Sequence, residues 1–179
     1  AFIGLFLGVE YQDGTMRNKL VVGHSRRAVY GAYLITGTVG CFAILLAWAA
    51  SVVIGVVRFG WFVAPAGTLL LYAAVILLLT AAQAAILTLL CLLVTNRAVS
   101  GVAAILLALA LLILGSSFYI SGTLRTVYQF AVDALPSGQA ILLANQELAR
   151  PGLSLAASAG LILLFSAIGM AIFRRKDLK

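Results

Sequence analysis

Arg17, Lys19, His24, Arg26 and Arg27 fall within one short stretch, "DGTMRNKLVVGHSRRAVY", running from Asp13 to Tyr30. Residues of these types bind anions and acidic surfaces. They do not constitute a catalytic set, because His24 is the only histidine in the chain and no HExxH accompanies it. A membrane-embedded hydrolase needs a nucleophile with its base, or a metal pair, within the bilayer. Cys41 and Cys91 lie deep in apolar runs, where they are small packing residues rather than a disulfide or metal pair. The chemistry on offer is recognition.

The 179 residues are 64% hydrophobic and only 9% charged. A soluble domain carries about a quarter charged residues, so this chain cannot cover a water-facing surface and belongs in a membrane. It opens at Ala1 inside an apolar run, without an initiator Met, and reads as the remainder of a longer polypeptide. A crossing helix needs about 20 apolar residues. Runs of that kind predict a truncated span ending near Val9 and further spans at about 31–57, 67–95, 99–123 and 153–173. The fold class is therefore an all-α polytopic bundle, one transmembrane domain with about five segments.

Threading the chain back and forth puts Arg17, Lys19, Arg26, Arg27, Arg97, Arg174, Arg175, Lys176 and Lys179 on one side, against Arg58, Arg125 and Arg150 on the other. The positive-inside rule makes the first side cytoplasmic, including the C-terminus. It also explains the net charge of +7 without nucleic acid. Trp48 is expected to be buried within a span, while Phe59, Trp61 and Phe62 suit an outer interfacial anchor. No Asp, Glu, Lys, Arg or His lies in the middle of any of these spans, which argues against a proton relay, a voltage sensor or an ion-coupled transporter.

Within segment 10–30, Asp13 or Thr15 caps a short helix over Thr15 to Val22, and Gly23 ends it in the left-handed region. Ser25 caps the next helix, "RRAVYGAYL". The spacing places Met16 and Leu20 on one apolar face, which reads as a docking surface, with Arg17, Asn18 and Lys19 elsewhere. A basic loop that only orients the protein would need no caps, stop glycine and immediate restart.

"EYQDGTMRNKLVVGHSRRAVY" resembles the first cytoplasmic loop of bacterial ABC type-2 permeases, the membrane subunits of ATP-driven exporters. In that family an acidic residue and "DGT-x-RNKL-x-x-G" lead into "SRR-x-x-Y". The outer "DALPSGQA" (Asp133 to Ala140) and the closing "FRRKDLK" follow in the expected order. The resemblance implies six spans, a coupling helix formed by Asp13, Thr15, Met16, Arg17, Lys19, Leu20, Gly23, Arg26 and Arg27, a cytoplasmic ABC ATPase as partner, and a second permease copy or homologue beside it. The chain has no G-x-x-x-x-G-K-[ST] loop, so ATP and magnesium would sit on the partner. A non-transporting sensor or assembly subunit using the same dock is the alternative.

Two further regions bear on a pathway. Segment 124–152 predicts two short helices, with Val127, Phe130, Ala131 and Ala134 on one face and a break at Pro136 and Gly138. The resemblance implies that these are re-entrant and cap the outer end. In span 67–95, Thr80, Ala84, Thr88, Cys91 and Thr95 form a stripe of small residues beside Gln83. This stripe either packs a neighbouring helix or, through Thr80, Gln83 and Thr88, lines a translocation path. Gly37, Gly40 and Cys41 narrow the preceding span for a neighbour. Ser116 and Ser117 either line a pore or bond their own backbone carbonyls.

Overall fold

A computed structural model describes residues 2–59, 65–94, 96–120 and 125–175. Eight helices follow in order: α1 (Phe2–Gln12), α2 (Thr15–Val21), α3 (Arg26–Phe59), α4 (Ala66–Leu93), α5 (Arg97–Ile120), α6 (Arg125–Ala134), α7 (Pro136–Ala144) and α8 (Pro151–Arg175). There is no strand among the described residues. Helices α3, α4, α5 and α8 are each long and apolar enough to cross a membrane. The chain is thus a multi-pass, all-α membrane protein. Trp61, Phe62 and Thr95 lie outside the described residues, as does the side chain of Phe59.

Lipid gives apolar side chains little reason to leave it, so bundle helices associate where small residues let backbones approach. α1 meets α5 in this way. A methyl group on Gly4 would lie 2.7 Å from Ser100 O, and one on Gly8 would lie 2.6 Å from Arg97 Cα. Gly37 and Gly40 make the corresponding narrow face on α3, against Ile3, Thr88 and the ring of Phe2. Gly169 on α8 leaves room for the Tyr30 ring from α3. α4 runs along α8 over the longest interface in the bundle. Ala82, Ala84, Ala85 and Cys91 are buried on α4, and Ser154 and Ser158 on α8.

The core lies toward the end of the bundle where α1, α3 and α4 converge. It holds Ile3, Leu7, Met16, Tyr30, Tyr33, Leu87, Leu92 and Phe173. Cys91 is buried in it, and both cysteines are free thiols. Elsewhere the long helices turn apolar side chains outward, as lipid-facing helices do: Ile35, Val39, Leu46 and Ile54 on α3, Leu106 and Ile113 on α5, Leu163 on α8. Trp48 belongs with them at 56% exposure. Its placement within the span holds; enclosure by protein does not.

α3 begins at Arg26, some five residues before the apolar run, because Ser25 Oγ accepts the Ala28 N–H at 3.2 Å and starts the helix in the basic segment. α5 has an equivalent device. Asn96 Oδ1 accepts from Ala98 N at 3.0 Å and Val99 N at 3.3 Å.

At the other end, α6 and α7 form a helical hairpin. The break falls at Leu135, which is extended, and Pro136 opens α7 in the first-turn position proline tolerates. Gly138 does not break the chain. It sits inside α7 because any side chain there would strike Val132 O. The buried face of α6 also differs from the expected one. Val132 and Asp133 point inward while Phe130 is 67% exposed, and the side chain of Val127 lies outside the described residues. The apolar residues of so short a helix leave its rotation open until it packs on α5, α7 and α8.

Candidate functional site

The joint joining α1, α2 and α3 concentrates the residues singled out in the sequence. Gly14 (φ 66°) and Gly23 (φ 104°) bracket α2, both in the left-handed region that glycine adopts without strain. With nothing near either Cβ direction, their requirement is conformational. Gly23 therefore ends the helix as its sequence position suggests. The N-terminal cap differs. Gly14 occupies the cap position and no side chain caps the helix. Thr15 Oγ1 is drawn instead to Glu10, 2.6 Å from Oε2, and Asp13 is exposed.

Glu10 is the hub of the joint, and the site residues read from sequence omitted it. Its Oε2 accepts from Thr15 Oγ1 (2.6 Å), Lys19 Nζ (2.7 Å) and Tyr33 OH (2.8 Å), so one carboxylate ties α1 to both α2 and α3. Lys19 Nζ also lies 4.8 Å from the centroid of the Tyr33 ring, within cation–π range. Burial pushes the Glu10 carboxyl up. The hydrogen bonds from Lys19, Thr15 and Tyr33 outweigh it and hold the group below the usual glutamate range. A signal for this existed: Glu10 is the sole acid other than Asp13 near the basic run.

The same joint is fastened to two more helices through their C-terminal carbonyls, which lack partners within their own helix. Tyr11 OH donates to Leu92 O of α4 at 3.0 Å. Arg26 Nη1 donates to Phe173 O at 3.1 Å and Arg174 O at 3.3 Å of α8. A cation there also suits the negative end of the helix dipole. α2 is therefore bonded to the ends of its neighbours α1 and α3, and the joint they form is bonded in turn to α4 and α8.

Met16 is 1% exposed and packs into the core, with Leu20 partly buried against the same cluster. The docking face expected from Met16 and Leu20 is thus the face α2 turns toward its own chain. An apolar pair at i and i+4 records burial but cannot say against what. The outward face carries exposed Arg17 and Asn18, with Val21 and Val22 at 77% and 78% exposure and Arg27 exposed just beyond. Of the nine residues expected to form a coupling helix, Thr15, Met16, Lys19, Leu20 and Arg26 hold the joint together, Gly23 shapes it, and Asp13, Arg17 and Arg27 face outward.

The three pathway candidates separate. Thr88 is fully buried and its hydroxyl donates to Ala84 O at 2.7 Å, so it packs. Thr80 bonds Ile76 O at 2.7 Å and lines a cavity of about 400 Å³ with Leu45, Trp48, Tyr72, Ile76 and Leu143. Gln83 lines a second groove of about 220 Å³ with Leu111, Pro136 and Ser137, sharing Leu79 and Ala140 with the first. Ser116 and Ser117 both bond Ile113 O at 2.8 Å, the backbone alternative. His24 is exposed, and no group of three metal-ligating side chains occurs among the described residues.

No family model, no curated protein and no solved structure matches the chain.

Proposed function

We propose that this chain is the permease subunit of an ATP-driven exporter in a bacterial inner membrane, with α2 as the element a cytoplasmic ATPase pushes. The observation that carries the reading is the two-sidedness of α2. Its inner face is bound to α1 and α3 through Met16 and the Glu10 network, whereas Val21, Val22, Arg17 and Arg27 face outward. A seven-residue helix is too short to be stable by itself. Held rigidly, it can receive a force and pass it on.

In this mechanism ATP and magnesium reside on the partner, which closes against α2. The displacement travels through Glu10, Tyr11 and Arg26 into α1, α3, α4 and α8. The α6–α7 hairpin closes the opposite, outer end, and the C-terminus is cytoplasmic. A second copy or homologue of the permease completes the path. The energy comes from the ATPase, and the permease contributes the differing contacts of its two states.

Co-purification from detergent tests this. Wild type is expected to retain a chain carrying a phosphate-binding loop, and the double variant Val21→Asp/Val22→Asp to lose it while inserting normally. A charge at the dock would have to shed water without a partner. Recovery of no nucleotide-binding chain with wild type, or equal recovery with the variant, overturns the proposal.

A further inference from the structure

Asp133 is 2% exposed, at the last turn of α6. Gln129 bonds its carboxyl, yet Oδ2 has no hydrogen-bond partner among the described residues. The neighbouring amide is fully engaged elsewhere. Gln139, itself buried, donates through Nε2 to Asp133 O at 2.8 Å and Ser154 O at 3.1 Å, and its Oε1 accepts from Ser158 Oγ at 2.9 Å. It fastens the backbone of the hairpin to α8 and has no N–H left for the carboxylate.

The elements packed on α6 supply little charge. α7 has no titratable residue, and α8 has none before Arg174 at its far end. α5 contributes Tyr119, whose hydroxyl donates to Glu147 Oε2 at 2.9 Å. Among the described side chains, Arg150, exposed in the connection to α8, is the cation whose field reaches Asp133; the side chains of Arg125 and Tyr128 on α6 itself lie outside them. Burial pushes the carboxyl above the usual aspartate range; Arg150 and Gln129 pull it back only in part. A buried carboxylate with an unpaired oxygen is far costlier than the neutral acid.

We propose that Asp133 is a proton-binding site that latches the α6–α7 hairpin. With a proton taken from water on Oδ2, the carboxyl stays buried and the hairpin stays seated on α5 and α8. Return of the proton to water leaves a carboxylate that draws the hairpin toward solvent. The sequence places no Asp, Glu, Lys, Arg or His in the middle of a span, and this site lies beside the spans, in the short helices where the resemblance implies a cap of the outer end.

Infrared spectroscopy of the purified protein offers a direct test, since the chain has only five Asp and Glu side chains. The carbonyl band of a protonated carboxyl should persist at about pH 6, where an ordinary aspartate with a pKa of about 3.9 is ionised. It should vanish in Asp133→Asn. Deuterium uptake across α7, corrected for intrinsic exchange, should rise as that band titrates away in wild type, and stay flat in Asp133→Asn. Absence of the band at pH 6, its survival in Asp133→Asn, or identical uptake in the two proteins overturns the proposal. Should Asp133→Asn fail to fold, Arg150→Gln decides. Removing the cation should move the midpoint upward, and an unmoved midpoint counts against the site.

Discussion

Lys19 Nζ stands 2.7 Å from Glu10 Oε2 and 4.8 Å from the centre of the Tyr33 ring, so one ammonium touches both helices that flank its own. The pair is not deeply buried: the Lys19 side chain is 42% exposed and that of Glu10 18%. Water screens the attraction accordingly, and the geometric role outweighs the energetic one. With Thr15 and Tyr33 converging on the same oxygen, the orientation of α2 is fixed by side chains rather than by its own helical stability.

Glu10→Gln should therefore loosen the joint more than it lowers stability. The loss is expected to be about 1 kcal/mol at neutral pH, within the range for partly exposed charged hydrogen bonds. The sign with pH follows from the lowered carboxyl pKa. Its stabilisation is complete above the unfolded value of about 4.3 and is lost as pH falls through the folded value. Thermal unfolding of wild type should show this acid loss, and Glu10→Gln should lack that component. Equal acid profiles would remove Glu10 from the joint.

Met16→Asp should behave as a folding lesion. Its side chain is enclosed among core residues, so the substitution forfeits about 2 kcal/mol of burial and adds an unpaired charge. Reduced membrane accumulation and a lowered unfolding temperature are expected, in contrast to the exposed Val21 and Val22. A well-folded Met16→Asp protein that fails only to retain its partner would restore Met16 to the docking face.

Gly169→Ala tests the α3–α8 contact. The added methyl would strike the Tyr30 ring, which is itself enclosed beside Phe173 with ring centroids 6.3 Å apart. Overpacking of this kind costs about 1–3 kcal/mol. Gly160→Ala on the same helix has nothing within 4 Å and should leave thermal stability unchanged or slightly raised. Matching behaviour of the two variants would contradict the packing described for Tyr30.

These cases show what a one-dimensional pattern carries. Runs of apolar residues located α3, α4, α5 and α8, because the bilayer sets a minimum length that little else in a protein imitates. Gly23 and Ser25 announced their turns through backbone chemistry that is local. The direction of the Met16 face was not legible, since periodicity reports that a side is buried and not which partner buries it. Glu10, Gln139 and Asp133 stand in the quoted motifs, yet what they bond was not legible, for a related reason. Their partners lie on other elements, as when Gln139 bonds Ser154 and Ser158, and that proximity exists only in the folded bundle.

Gln83 is where packing and pathway can be told apart. Its side chain is half-buried on α4 and borders the groove formed with Leu111, Pro136 and Ser137. Lipid offers an amide no hydrogen-bond partner, so a position between helices that admits water suits it better than the bilayer face. Thr88, by contrast, is sealed and bonded to its own helix. Gln83→Leu is expected to change transport or cargo preference while shifting stability by only about 0.6 kcal/mol, the mean for an interhelical polar contact. Thr88→Val should leave transport unchanged. Cysteine placed at position 83, with Cys41 and Cys91 replaced, reports water directly. ATP-dependent labelling by a small soluble thiol reagent is the expected result. A position that never labels, together with a lowered unfolding temperature in Gln83→Leu, would make Gln83 a packing residue and count against the proposed path.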